Sequence, residues 1–247
     1  MKQVELRDGE RLDDLMRSGR HIIQNRQEFC FSVDAVLLAH FPRWKKGQRV
    51  LELGTGTGAI PLIIADEVGR VDAVELNPVT ADLARRNVRL NGLQEKVFIC
   101  EGDLREIREW YPAESFDVVL SNPPYRPVRQ GKASLRDGIA CARHEFTATL
   151  EDVVSAARYA LRFRGVFAMV HLPERLGEIM VALHEHRMEA KRLRMIQPRE
   201  GRAPNMMLVE AVAGAAPGGL KVLPPLVVHE PDGRYTEEVL RIYECGE

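Results

Sequence analysis

From Arg49 onward, short apolar runs alternate with stretches whose apolar residues recur at helical spacing. A chain satisfies that pattern by laying parallel strands side by side and covering them with crossover helices. The strand candidates are Arg49 to Leu53, Val71 to Val74, Val97 to Ile99, Asp117 to Leu120, Val166 to His171, Arg192 to Ile196 and Met206 to Ala213. Ala59 to Glu67, Pro78 to Leu90, Leu150 to Leu161 and Glu174 to His186 read as helices, with Pro78 at a first-turn position where its missing N–H is tolerated. The expected fold is α/β, a doubly wound and mostly parallel sheet of seven strands held by residues 49–213. Residues 1–48 carry an apolar helix at Val33 to Phe41 and are expected to form a short N-terminal helical lid. Residues 214–247 are expected to pack on the same domain as an extension. They hold a turn at Gly214 to Gly219, an apolar run broken by Pro224 and Pro225, a Pro231-Asp232-Gly233 turn and a short terminal helix.

At the end of the first sheet strand stands Glu52-Leu53-Gly54-Thr55-Gly56-Thr57-Gly58. A glycine-rich turn at the carboxyl end of a strand is where open α/β sheets bind ligands, because glycines let the backbone approach closely. Glu75 ends the second strand with a carboxylate able to accept from both hydroxyls of a ribose. Gly54, Gly56 and Ala59 also satisfy a dinucleotide fingerprint, so a dehydrogenase remains open on the loop alone. Glu52 favours a different ligand: it is ill placed beside a pyrophosphate but suits a cationic ammonium. Gly102-Asp103-Leu104 follows the third strand, where Asp103 can accept from an adenine amine or simply terminate a turn.

The fourth strand runs into Asn122-Pro123-Pro124-Tyr125. An exocyclic amine or amide nitrogen presents two N–H donors and a lone pair delocalised into its π system, so its site must offer acceptors and no donors. Two prolines remove two backbone N–H groups, and Pro124 pushes Pro123 toward an extended conformation that frees carbonyls to face a pocket. The Asn122 side-chain oxygen and the Pro123 carbonyl supply two acceptors. Together they localise the lone pair and meet the positive charge that develops during transfer. Tyr125 offers a flat face for the target ring.

These residues resemble class I S-adenosylmethionine-dependent methyltransferases, and more closely the bacterial adenine-N6 methyltransferases that act on a valine tRNA. The resemblance covers nearly the whole chain. It implies that Glu52, Gly54, Thr55, Gly56 and Gly58 form the cofactor loop, with Glu75 on the ribose, Asp103 and Leu104 on the adenine, and Asn122 at both cofactor and target. Asn122, Pro123, Pro124 and Tyr125 become the catalytic tetrad. Phe31-Ser32-Val33-Asp34-Ala35-Val36-Leu37-Leu38 is similar to that family's pre-sheet helix, and Ala142-Arg143-His144-Glu145 to its post-tetrad segment. The family implies a Rossmann-like sheet of seven strands with the last one antiparallel, S-adenosylmethionine as cofactor, and a target adenine 3′ of the anticodon. A glutamine-amide methyltransferase acting on protein uses the same tetrad but carries a longer helical domain ahead of the sheet. A guanine-N2 enzyme is a further alternative, and an RNA-binding module with a vestigial cofactor site is the non-enzymatic one. Ser32 and Asp34 read equally as pocket residues or as an N-cap pair.

A net charge of −1 argues against a protein that coats nucleic acid, so local clusters matter more. Arg126, Arg129, Lys132, Arg136 and Arg143 follow the tetrad, and Arg187, Lys191, Arg192, Arg194, Arg199 and Arg202 crowd the last strands. They are expected to grip phosphates of a tRNA anticodon loop, or else to be solvated surface charge. Cys30, Cys100, Cys141 and Cys245 lie far apart without a CxxC, and His184 and His186 do not share a helix face, so no metal site is expected. No apolar run approaches a membrane span and the start is not a signal sequence, which places the chain in the cytoplasm as an expectation.

Overall fold

Apolar residues fill both faces of a central sheet. The computed structural model describes residues 5–15, 19–25, 31–123 and 148–244. Ten strands and six α-helices are described. They run β1 (Glu10–Asp14), β2 (His21–Asn25), α1 (Val33–His40), β3 (Arg49–Leu53), α2 (Ala59–Ile64), β4 (Arg70–Glu75), α3 (Pro78–Leu90), β5 (Val97–Glu101) and β6 (Phe116–Ser121). After the tetrad come α4 (Leu150–Ala160), β7 (Leu161–His171), α5 (Leu176–Glu185), β8 (Met188–Arg199), β9 (Met206–Ala213), β10 (Lys221–His229) and α6 (Glu237–Glu244).

The large sheet has the order β10-β8-β9-β7-β6-β3-β4-β5. β3, β4, β5, β6 and β7 are mutually parallel where they pair, and β9 runs antiparallel to both β7 and β8. The doubly wound α/β expectation holds, with one correction: the sheet has eight strands, not seven. The eighth, β10, pairs parallel to β8 at the edge, and its register shifts between Leu223 and Leu226, where Pro224 and Pro225 stand. A proline cannot donate to a ladder and is confined to edges and irregularities. The Pro224 carbonyl is met instead by the Arg194 side chain at 3.0 Å.

Strand alternation sends side chains to two cores. One gathers Val50, Val118, Leu120 and Val170 under α1 and α2, with Val239 of α6; the other gathers Leu51, Leu53, Val119 and Phe167 under α4 and α5. Each fully buried aliphatic or aromatic side chain contributes about 1.5–3 kcal/mol, which is why register is fixed so firmly here. α1 begins as the sequence predicted and packs on the domain as a cap, with Asp34 through Ala39 buried. Ahead of it, β1 and β2 form an antiparallel hairpin that the sequence did not suggest. Its residues are polar enough to hide the alternation, and it is held by α3 through Asn87, Asn91 and an Arg86–Glu10 ion pair at 2.5 Å.

Candidate active site

Four adjacent strands deliver the expected site residues to one edge. In the order β6-β3-β4-β5, their carboxyl ends carry Asn122, the glycine turn, Glu75 and Asp103. Neighbouring strands lie about 4.8 Å apart, so the line from Asn122 to Asp103 spans three steps, about 14 Å. That length suits a ligand with an adenine at one end and an amino-acid moiety toward the other.

The turn is pinned from below. Gly54 and Thr55 both donate their N–H groups to the Val74 carbonyl, at 2.9 and 3.0 Å, and Gly56 donates to Glu75 Oε2 at 2.8 Å. Gly54 and Gly56 take φ of 76° and 58°, and a Cβ added to either would meet no atom within 4 Å. The turn therefore lines open space that a ligand can fill. Gly58 differs, because its added Cβ would reach the Ala84 Cβ at 3.4 Å, so it also serves close packing on α3.

The acids are held in place by local hydrogen bonds. Glu52 is fully buried with Thr55 Oγ1 donating to it; burial, then the nearby charge of Glu75, raise its pKa to about 8 while the Thr55 bond opposes the rise. Glu75 also accepts from Asn77 N–H at 2.9 Å, and Asn77 in turn caps α3 by accepting from Val79 and Thr80. Asp103 accepts from Arg105 N–H at 2.9 Å and pairs with the Arg105 guanidinium, which holds its carboxyl below the ordinary range. Leu104 follows it, half-buried.

Asn122 and Pro123 are half-buried at the end of β6, and Ser121 fixes their approach by donating to the Leu53 carbonyl at 2.9 Å. Pro124, Tyr125 and Ala142 to Glu145 lie outside the described residues, as do Arg126, Arg129, Lys132, Arg136 and Arg143. His171 ends β7, the strand next to β6, and is buried there; burial and then Arg175 press its pKa down to about 4, leaving a neutral ring whose Nδ1 accepts from Leu172 N–H at 2.8 Å.

Residues 32–177 match the family described as methyltransferase small domain. The chain belongs to that family. It is a methyltransferase, and its methyl donor is S-adenosylmethionine. It is 30% identical over 230 residues to a tRNA1(Val) (adenine(37)-N6)-methyltransferase of Tolumonas auensis, covering 90% of this chain and 91% of the relative. A crystal structure described as a predicted O-methyltransferase of Agrobacterium tumefaciens superposes with a TM-score of 0.70 at 24% identity, over 87% of this chain and 98% of the other. Geranyl diphosphate C-methyltransferase of Streptomyces coelicolor, in complex with S-adenosyl-L-homocysteine, shares the fold with a TM-score of 0.54 at 13% identity, over 72% of this chain and 77% of that one.

The methyltransferase disperses its second arginine cluster. Lys191 Nζ donates to the Ala216 carbonyl at 2.7 Å and also to that of Gly218. Arg192 binds Glu210 at 2.6 Å and the Phe41 carbonyl at 3.0 Å, and Arg194 binds Glu238 at 2.6 Å. These three hold strands and helices together. Arg199 and Arg202 are exposed on the β8–β9 hairpin, and pairing of Ile196 with Met206 and of His171 with Met207 puts that hairpin at the same edge as Asn122.

Two features escaped the sequence. Ser121 and Asn87 looked like ordinary polar residues at a strand end and a helix face. Ser32 does occupy the N-cap position of α1, yet its hydroxyl donates to Asp34 Oδ1 at 2.6 Å instead of capping the helix. His184 and His186 meet Glu189 and Glu151 at the surface, and no group of three metal-ligating side chains occurs among the described residues. No helix among them is long and apolar enough to cross a membrane.

Proposed function

We propose that this methyltransferase transfers a methyl group to the exocyclic N6 of an adenine in tRNA, the adenine next to the anticodon as in the relative from Tolumonas auensis. The observation that carries the reading is Asn122-Pro123 at the end of β6, tied by Ser121 to the strand that leads into the glycine turn. The 30% identity to that relative over 90% of this chain and 91% of its own supports the tRNA target.

The bound cofactor supplies an electrophilic methyl carbon on a sulfonium. Glu52 would hold its ammonium, Glu75 its ribose hydroxyls and Asp103 its adenine amine. Asn122 Oδ1 and the Pro123 carbonyl accept the two N–H groups of the target amine and hold its lone pair toward the methyl carbon. The target nitrogen so held would take the methyl group that the sulfonium gives up, and its extra proton would leave afterward to solvent. No general base is required before transfer. Alignment of nitrogen, carbon and sulfur can supply up to about 7–11 kcal/mol of the barrier reduction, and the acceptors stabilise the charge that appears on nitrogen. Tyr125 is the residue proposed to stack on the target ring.

Arg199 and Arg202, with Arg126, Arg129, Lys132, Arg136 and Arg143, are the cations that would bind anticodon-loop phosphates. Unstacked loop bases are cheaper to extrude than paired ones, which suits a pocket open at the sheet edge. The test is to incubate the protein with labelled cofactor and tRNA lacking the modification, then identify the nucleoside by mass spectrometry. N6-methyladenosine is the expected product. N2-methylguanosine, or label in protein glutamine alone, would replace the reading with one of the alternatives.

A further inference from the structure

Asn87 is fully buried on the inner face of α3 and uses its amide as a peptide group would. Its Oδ1 accepts from Ile23 N–H at 2.6 Å, and its Nδ2 donates to the Ile23 carbonyl at 3.0 Å and to the Thr57 carbonyl at 2.9 Å. An asparagine amide has two N–H donors, so both are committed, one to the N-terminal hairpin and one to the glycine turn. Asn91, one helical turn on, makes the hairpin bonds without reaching the glycine turn: it accepts from His21 N–H at 3.1 Å, donates to the His21 carbonyl at 2.7 Å and also donates to the Asn87 main-chain carbonyl at 2.8 Å. The two side chains give α3 the hydrogen-bonding edge of a strand, and β2 docks on it.

The Thr57 bond sets Asn87 apart. Thr57 precedes Gly58, whose φ of 84° starts α2 and whose N–H donates to the Thr55 carbonyl at 3.1 Å. Val74 and Glu75 anchor the first half of the turn from β4, as described above, and Asn87 anchors the second half from α3. Thr57 is buried, so without that donor its carbonyl would lie in a dry environment unsatisfied, a cost that favours rotation of the peptide.

We infer that Asn87 is a positioning residue for the cofactor turn, and that the N-terminal hairpin stiffens the turn through it. The inference rests on the assignment of residues 54–58 to the cofactor. Two consequences separate it from a merely structural role. Asn87→Asp keeps the acceptor for Ile23 but loses both donors and places a carboxylate against two carbonyls. Asn91→Ala loosens the same hairpin without touching the turn.

The experiment measures Kd for S-adenosylhomocysteine by calorimetry, cofactor KM, kcat at saturating cofactor and Tm for the full-length wild type, N87D and N91A. Both variants are expected to lose Tm. N87D is expected to raise Kd and cofactor KM about ten-fold, equivalent to about 1.4 kcal/mol, with kcat within two-fold, while N91A leaves Kd within two-fold. Equal Kd for all three proteins would overturn the inference. Hydrogen exchange on the wild type gives the same answer if N87D does not fold: S-adenosylhomocysteine should slow exchange at Ile23 as well as at Gly54, Gly56 and Gly58. Protection of the turn with none at Ile23 would overturn the hairpin link alone, whereas no protection of the turn would remove the cofactor assignment and the inference with it.

Discussion

Ser121 at the end of β6 and Leu53 at the end of β3 are joined by a 2.9 Å hydrogen bond from hydroxyl to carbonyl, both residues being fully buried. The two strands pair in parallel with Leu53 opposite Ser121, so this bond ties the last residue before the glycine turn to the last residue before Asn122. The glycine turn and Asn122 are thus referenced to one another across a single interstrand step.

Ser121→Ala removes the donor with almost no change of volume. The expected loss of stability is about 1 kcal/mol, accompanied by a fall in kcat as Asn122 drifts. Denaturant unfolding and steady-state kinetics read the two effects; a loss of stability with unchanged kcat would show that the bond holds the sheet and not the site.

Asn122→Ala should abolish transfer while leaving S-adenosylhomocysteine affinity within a few-fold, because the acceptor acts on the amine. Calorimetry beside single-turnover methylation decides this. Parallel loss of both would place Asn122 mainly in the cofactor pocket.

Glu52 carries a pH signature. Its folded pKa is raised from 4.5 to about 8, first by burial. The folded cofactor-free protein therefore holds a proton that the unfolded chain has released between those values, so stability falls as pH rises from about 4.5 through about 8. Glu52→Gln lacks this titration. The Tm of E52Q relative to wild type should climb between pH 5 and pH 8.5, as measured by calorimetric scanning; a constant difference would mean that Glu52 is ionised throughout.

Charge reversal of Arg199 and Arg202 together should weaken tRNA binding at low salt and flatten its salt dependence, since each released counterion contributes to the slope. Lys191→Glu should affect stability more than binding, because its ammonium holds the Ala216 and Gly218 carbonyls. Fluorescence titration of tRNA at several salt concentrations distinguishes them. Unchanged binding by the double reversal would leave RNA contact to the segment after the tetrad.

β3, β4, β6, β7 and β9 were legible because each carries a short apolar run, as strands covered on both faces do. The acids at strand ends were legible for a related reason, since a carboxylate directly after an apolar strand has few structural uses. β10 was not, because Pro224 and Pro225 argue locally against a strand, and only the presence of an open edge on β8 and of Arg194 beside it makes the run pair. The hairpin was hidden for the opposite reason: the main-chain N–H groups of His21 and Ile23 are satisfied by asparagines more than sixty positions away.

The order of residues alone determined the class of fold, the glycine turn and the acids that follow the neighbouring strands, because these follow from short-range chemistry and from spacing along a strand. Tertiary structure decided which charges are spent internally, as Arg192 and Arg194 are, and which stand at the reactive edge. It also decided that Asn87 and Ser121 support the site, since a hydrogen bond between distant segments exists only once the sheet has brought its ends together.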